Sequence, residues 1–153
     1  MTQVLFCHNA ADRLQAAVTW LTQASRDADA NDRYIIYAPD RQIAERLDHM
    51  LWTTPPTGFL PHCSARSHLA PETPILIATT ASELGGNASN AQTSRNSLLN
   101  LGNELPPEFE RFTQLIEIIS REENIRLPAR ERARYYRDQG HDIQYLDLQK
   151  APL

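Results

Sequence analysis

The chain is short of the residues that small secreted and membrane-spanning proteins rely on. It has two cysteines in 153 residues, Cys7 and Cys63, far apart in sequence. That spacing argues against a disulfide framework and fits unpaired thiols in a reducing compartment. Long apolar runs are missing as well: stretches such as Ile75 to Ala78 fall well below the roughly 20 residues a spanning helix needs. No basic segment leading into an apolar one opens the sequence, so no signal peptide is expected and the cytoplasm is the expected compartment. Glycine-based phosphate cradles are absent too. No G-x-G-x-x-G follows the first apolar run and no G-x-x-x-x-G-K-[ST] occurs anywhere, which removes the commonest nucleotide-binding forms of an α/β protein. Nor is there a G-x-S-x-G or an H-E-x-x-H, the signatures of simple serine hydrolases and zinc peptidases. Neither a catalytic site nor a cofactor is expected.

Lysine is the last scarcity, with Lys150 alone, and it makes the charge pattern informative. The formal net charge of −4 argues against a nucleic-acid affinity of the whole surface, because phosphate binding needs a positive face. Yet six of the fourteen arginines lie between Arg121 and Arg137. Cationic charge is therefore concentrated in one segment and carried by guanidinium groups. With 41% hydrophobic and 22% charged residues, the usage of an ordinary globular chain, residues 1–153 are expected to fold as one domain.

Hydrophobic periodicity sketches the elements. Val4 to His8 reads as a buried strand. Asn9 and Asp12 are candidate caps for a helix whose inner face carries Leu14, Ala17, Val18 and Leu21. The polar stretch Ser25 to Arg33 ends that helix. Tyr34 to Ala38 reads as a second strand, and Pro39-Asp40 starts a helix with Ile43, Leu47, Met50 and Leu51 turned inward. Two strand-helix units in succession predict an α/β fold: a three-layer open sheet, mostly parallel, with right-handed crossovers and helices on both faces. Proline limits Phe59 to His62 to a short edge segment, Ile75 to Thr79 reads as a strand, and the Ser-, Asn- and Gly-rich stretch 82–94 as a long flexible loop. Leu98 to Leu101 is a further strand candidate and Pro106 to Phe109 a turn or short helix. The β-branched content of Phe112 to Ile119 favours strand over helix. Arg121 to Gln139 reads as the last helix, stopped by Gly140, and Ile143, Tyr145 and Asp147 alternate as a closing strand.

Clusters that carry chemistry are few. His62, Cys63 and His68, joined by Cys7 or His8, are the nearest approach to a zinc site, but their spacing matches no standard finger. A strand-end histidine beside a small buried thiol accounts for them, and no metal is expected. Glu122-Glu123 suit the first turn of a helix, where the macrodipole favours acids, better than an acid-base pair. The last helix is different. At roughly 100° per residue, Arg126, Arg130, Arg134 and Arg137 fall at about 0°, 40°, 80° and 20°, making one cationic ridge. Ile125, Ala129, Ala133 and Tyr136 take the arc from about 260° to 340° and should face the core. Like charges four residues apart repel by about a few tenths of a kcal/mol, so the ridge calls for compensation. Two accounts fit: a solvated face in which Glu123 pairs with Arg126 and both Glu131 and Asp138 with Arg134, or an anion-binding ridge.

The run Arg46-Leu47-Asp48-His49-Met50-Leu51-Trp52, followed by Phe59-Leu60-Pro61-His62, resembles the L-D-x-x-L-W and F-[IVL]-P-H signature of the chi subunit family of bacterial DNA polymerase III. Ala129-Arg130-Glu131-Arg132, with Tyr136-Arg137, resembles that family's terminal helix. Segment order and length agree, so the resemblance covers nearly the whole chain. It implies a Rossmann-like α/β fold without nucleotide motifs. It also implies an accessory subunit with no catalytic site of its own inside a DNA-directed DNA polymerase, a nucleotidyltransferase holoenzyme, at the replisome and nucleoid. Family members link the clamp-loader side of the replicase to single-stranded DNA-binding protein by gripping its acidic C-terminal tail. They bind the psi subunit on another surface, and their contact with DNA is mainly indirect. Carried over by position, the tail-binding residues are Arg126, Arg130, Arg134 and Arg137, with Ile119 as an apolar wall. Forked guanidinium donors beside an apolar notch suit a peptide that ends in acids, an apolar side chain and a free carboxylate. Trp52 and Phe59 match the psi-facing positions, with burial in the core as the competing account.

Two departures from the family pattern stand out. Ala133 occupies a position where an aromatic is common, with Tyr135 as the nearest replacement. Pro128 falls inside the helix, and a start at that proline would take Arg126 off the ridge. A function of another class, a small α/β enzyme clamping an anionic substrate with the arginines, also fits the ridge. Direct single-strand binding is disfavoured by the net charge and by the lack of stacking aromatics in the ridge.

Overall fold

Capping and burial on both faces decide where the elements begin and end. The structure, a computed structural model, describes residues 2–26, 32–53, 62–65, 67, 73–80, 96–107 and 109–149. Strand β1 (Gln3–Ala10) leads into helix α1 (Arg13–Arg26), then β2 (Arg33–Tyr37), α2 (Arg41–Thr53), β3 (His62–Ser64) and β4 (Ile75–Ala78). β5 (Asn96–Asn100), a 3-10 turn at Phe109–Arg111, β6 (Gln114–Ser120), α3 (Glu123–Asp138) and β7 (Ile143–Asp147) follow. The expected loop 82–94, Phe59 and His68 lie outside the described residues.

Asp12 is the cap of α1, its Oδ1 accepting from the Leu14 and Gln15 amides at 3.0 and 3.2 Å. Asp40 does the same for α2 through the Gln42 amide at 2.9 Å. Asn9, the other candidate, instead adopts the left-handed conformation at φ 64, which asparagine tolerates better than most side chains. α3 ends as expected at Gly140, whose φ of 85 lets its amide donate to Arg137 O and that of His141 to Tyr136 O, both at 3.0 Å. The helix begins at Glu123, ahead of Pro128, and runs through the proline without the bond its N–H would have supplied. Arg126 therefore stays on the helix.

The seven strands lie in the order β3-β4-β2-β5-β6-β1-β7, and every neighbouring pair is parallel. α1 and α2 cover one face, with Leu14, Val18, Leu21, Leu47 and Leu51 against Cys7, Ile36, Ile77, Leu99 and Ile118. α3 covers the other: Ala129 and Ala133 sit over Phe6 and Ile119, and Tyr136 packs with Val4, Ile35, Leu98 and Leu115. Strands buried on both faces need apolar residues at every position, which is why they read as short continuous runs rather than alternations. α1 carries the chain from β1 towards β2 in one direction across the sheet, and α3 carries it from β6 to β7 in the other. Because crossovers of one hand must then lie on opposite faces, the winding reverses between β6 and β1. Outside the carboxyl ends of those strands is where open α/β sheets hold their ligands.

Candidate functional site

At that reversal α3 borders a cleft of about 620 Å³. Phe6, Ile119, Ala133 and Tyr145 give it apolar walls, His8, Asn9 and Ser120 close it at the strand ends, and Arg126, Arg130, Arg134 and Arg137 line it from the helix. Helical periodicity thus does what the wheel implies, burying Ala129, Ala133 and Tyr136 while the arginine arc opens outward. Parallel pairing of β1 with β7 sets Phe6 opposite Tyr145, with ring centroids 5.6 Å apart, and His8 lies 6.4 Å from the same tyrosine. Phe6, clustered with Ala133, and Tyr145, 53% exposed, are the aromatics of the cleft, and Tyr135 is not among them. Tyr135 follows its own helical angle to the far side of α3, where it lines a groove with Leu105, Glu104 and Asp138.

Three of the four charges of the ridge are left uncompensated. Arg126 NH2 has a loose partner in Glu123 Oε1 at 3.9 Å, both side chains well exposed. The pairs expected of Glu131 and Asp138 with Arg134 do not form, because Asp138 lies over the far groove and Glu131 spans both sides of the helix without closing on Arg134. Among the described residues Arg130, Arg134 and Arg137 have no ion-pair partner. Two buried polar atoms of cleft-lining residues, Ser120 Oγ and Arg126 Nε, also have no hydrogen-bond partner. Unpaired buried donors are costly, by about 1–3 kcal/mol each.

One arginine of the segment does something else. Arg132 turns into the protein and is 3% exposed, its Nε and NH2 donating to the two oxygens of the fully buried Glu117 at 2.9 and 3.0 Å. The Tyr136 hydroxyl donates to Glu117 Oε2 at 2.6 Å, and Asn100 Nδ2 approaches both oxygens at 3.2 and 3.1 Å. Arg132 NH1 reaches the Asn103 carbonyl at 2.8 Å. Burial works against the charge on Arg132, but Glu117 beside it more than offsets this and raises its pKa. Burial and the same carboxylate hold the Tyr136 phenol above its ordinary range. From α1, Arg13 donates to the carbonyls of Ile118, Leu101 and Gly102 at 2.7, 3.2 and 3.0 Å, its pKa lowered to about 10 by burial against the pull of Glu117. Sequence reasoning missed this network, although a lone acid in the apolar stretch 112–119 and an arginine near the inner arc of the helix were its signals.

The signature residues of α2 and β3 also meet. Leu47 and Leu51 are core, Asp48 Oδ1 lies 3.1 Å from Nε2 of the buried His62, and the Trp52 ring stands edge-on to that imidazole at 5.2 Å. Trp52 itself is 59% exposed, which rules out the core-packing account of it. Among the described residues no three metal-ligating side chains gather, and none of the helices is long and apolar enough to cross a membrane.

Comparison with known proteins returns one consistent result. The family model described as "DNA polymerase III chi subunit, HolC" matches residues 1–144. DNA polymerase III subunit chi of Pseudomonas aeruginosa is 32% identical over 132 residues, covering 86% of this chain and 84% of its own. The proteins of the same name from Haemophilus influenzae and Escherichia coli are 34% and 29% identical over 111 residues, each match covering 72% of this chain and 72% and 71% of theirs.

Proposed function

This chain belongs to the DNA polymerase III chi subunit family, and from that premise we propose that it is a non-catalytic accessory subunit of the replicase. It captures the acidic C-terminal tail of single-stranded DNA-binding protein in the cleft beside α3 and so links the clamp-loader complex to coated single strands. The observation that carries this is three arginines, Arg130, Arg134 and Arg137, that have no ion-pair partner among the described residues and line a cleft with apolar walls. From Arg126 to Arg137 the ridge is roughly 16 Å long at 1.5 Å per residue, the span of about five residues of extended peptide. A short tail that alternates carboxylates with an apolar end matches both its length and its chemistry. The net charge of −4 and the small cationic area favour a peptide over a DNA strand, so contact with DNA is indirect.

The psi subunit, where one is present, docks at Trp52 with Phe59. An exposed indole held against a buried histidine, which is itself tethered to Asp48, supports this assignment, because ordered aromatics on a surface are typical interface anchors.

The position of the cleft at the sheet reversal favours one other reading, a small enzyme acting on an anionic substrate. Titration of a fluorescent acidic C-terminal peptide separates the two. Saturable binding that weakens steeply with added salt and resists competition by inorganic phosphate supports the tail-binding subunit. Displacement of the peptide by millimolar-range phosphate, or no binding at all, removes it.

A further inference from the structure

We propose that the far side of α3 is a second docking surface, whose occupant is a short amphipathic helix of another protein that carries lysine or arginine beside leucine-type side chains. It stands apart from the tail-binding reading, whose cleft opens on the other side of the helix. A groove of about 580 Å³ runs here between α3 and residues 103–105 of the segment after β5. Five large apolar side chains are exposed among the described residues. Trp52 and Tyr145 belong to the surfaces already described. The other three converge on this side: Leu105 and Tyr135, 39% and 37% exposed, line the groove, and Leu127, 48% exposed, lies on the same arc of α3. At roughly 100° per residue from Arg126, Leu127, Asp138, Glu131, Tyr135 and Pro128 occupy the arc from about 100° to 200°. Exposed apolar side chains gathered within a polar rim are the mark of an interaction surface.

The rim decides the charge of the occupant. Glu104, Glu131 and Asp138 line the groove and have no ion-pair partner among the described residues. Arg132 is committed to Glu117, and Arg134 stands on the edge shared with the cleft, so carboxylates are in excess. Asp138 closes α3, where the negative end of the helix dipole disfavours an acid, and a partner's cation relieves that cost. Both walls are fixed beforehand. Arg132 NH1 and Asn100 Nδ2 donate to the carbonyls of Asn103 and Glu104 at 2.8 and 3.3 Å, and the Tyr135 ring stands edge-on to Phe109 and Tyr136 at 6.5 and 6.3 Å. A preformed groove loses little freedom on binding. Glu131, Tyr135 and Asp138 fall at i, i+4 and i+7, about 10 Å of helix, the spacing of a seam that accepts a second helix. Two cations seven residues apart with an apolar side chain between them complement that stripe.

The probe is a synthetic helical peptide with a leucine between two lysines spaced seven residues apart, titrated beside two controls, one with glutamate for lysine and one with alanine for leucine. Native protein should prefer the probe to either control by roughly tenfold. Tyr135→Ala should lose roughly tenfold in affinity for the probe, and so should the double variant Glu104→Gln with Asp138→Asn. The double variant keeps the apolar walls, and its thermal midpoint should be unchanged or higher, which separates a lost contact from a lost fold. Equal affinity of all three proteins for the probe, or a preference for the glutamate control, overturns the proposal. A photo-cross-linker at the probe's leucine should label Leu105 or Tyr135, and labelling confined to Trp52 or to the arginine ridge overturns it. Capture of an acidic C-terminal peptide by Tyr135→Ala should match that of native protein; a parallel loss there overturns the separation of the two surfaces. Sedimentation showing a native dimer that Tyr135→Ala disperses gives the groove to a second copy and overturns the stated occupant.

Discussion

Glu117 is where the structure predicts the largest response to a single change. Its carboxylate, fully buried, accepts from Arg132 twice and from Tyr136 at 2.6 Å, with Asn100 alongside. Glu117→Leu leaves the guanidinium of Arg132 at 3% exposure with no counter-charge. Breaking one side of a buried ion pair costs about 3–5 kcal/mol, a large part of the roughly 5–15 kcal/mol that holds a domain together. Arg132→Met alone should be milder, near the lower end at about 3 kcal/mol, because Tyr136 and Asn100 still donate to the carboxylate. Removing both charges together should restore much of the loss, since a buried pair is often replaced by apolar side chains of similar volume at little cost. The measurement is urea unfolding followed by circular dichroism for the two single variants and the double. A coupling of at least about 2 kcal/mol is expected. Additive losses within about 0.5 kcal/mol, or single losses below about 1 kcal/mol, would show that the pair does not hold α3 to β6. Because Arg132 lies between Arg130 and Arg134, the same variants should also weaken peptide capture.

Alanine at both Arg130 and Arg134 should lower affinity for an acidic C-terminal peptide about 100-fold, at about 1.5–3 kcal/mol per charge-assisted bond, and unchanged titration calorimetry would dismiss the ridge as the binding surface. In native protein an alkylating reagent should modify Cys63, which is partly exposed, well before Cys7, which is buried; mass spectrometry showing equal adducts contradicts the fold around β1. Burial pushes the Cys7 thiol from 9.0 up to about 12, so the folded state keeps a proton that the unfolded chain releases. That contribution to stability is complete below pH 9.0 and is lost as pH rises towards about 12. A Cys7→Ala variant should show a shallower alkaline decline in urea midpoint. Trp52→Ala should change stability by less than about 1 kcal/mol, as an exposed side chain does, yet abolish indole fluorescence changes on adding a protein partner. Gly140→Ala should cost about 1 kcal/mol because φ 85 suits glycine, and no shift in thermal midpoint would refute that conformation.

Much of the fold was legible because its signals are local. The apolar runs at Val4 and Tyr34, the acids Asp12 and Asp40 ahead of two amphipathic stretches, and Gly140 after the last helix each act within a few residues, and each lies in or bounds the element expected of it. Boundaries moved where a neighbour decided them: β5 starts at Asn96, two residues earlier than hydrophobicity suggests, because Asn96 pairs with Arg33 of β2 and Ser97 with Gln114 of β6. A start at Pro128 was the alternative to a helix from Arg121; the helix begins at Glu123, and Ile125 in the turn before the proline packs with Ala129 and Ala133 on the sheet.

The arginine arc follows from helical spacing alone, so the ridge was visible in the sequence by itself, together with the α/β class and the family motifs. Three things were decided by tertiary structure: that the arc faces Phe6, Ser120 and Tyr145, that Arg132 leaves it for Glu117, and that Asp48 and Trp52 meet His62. Each depends on side chains far apart in the chain being brought level by parallel strand register and by the rotation of a helix about its axis. Those are long-range quantities, set by how the whole sheet pairs, and no window of neighbouring residues contains them.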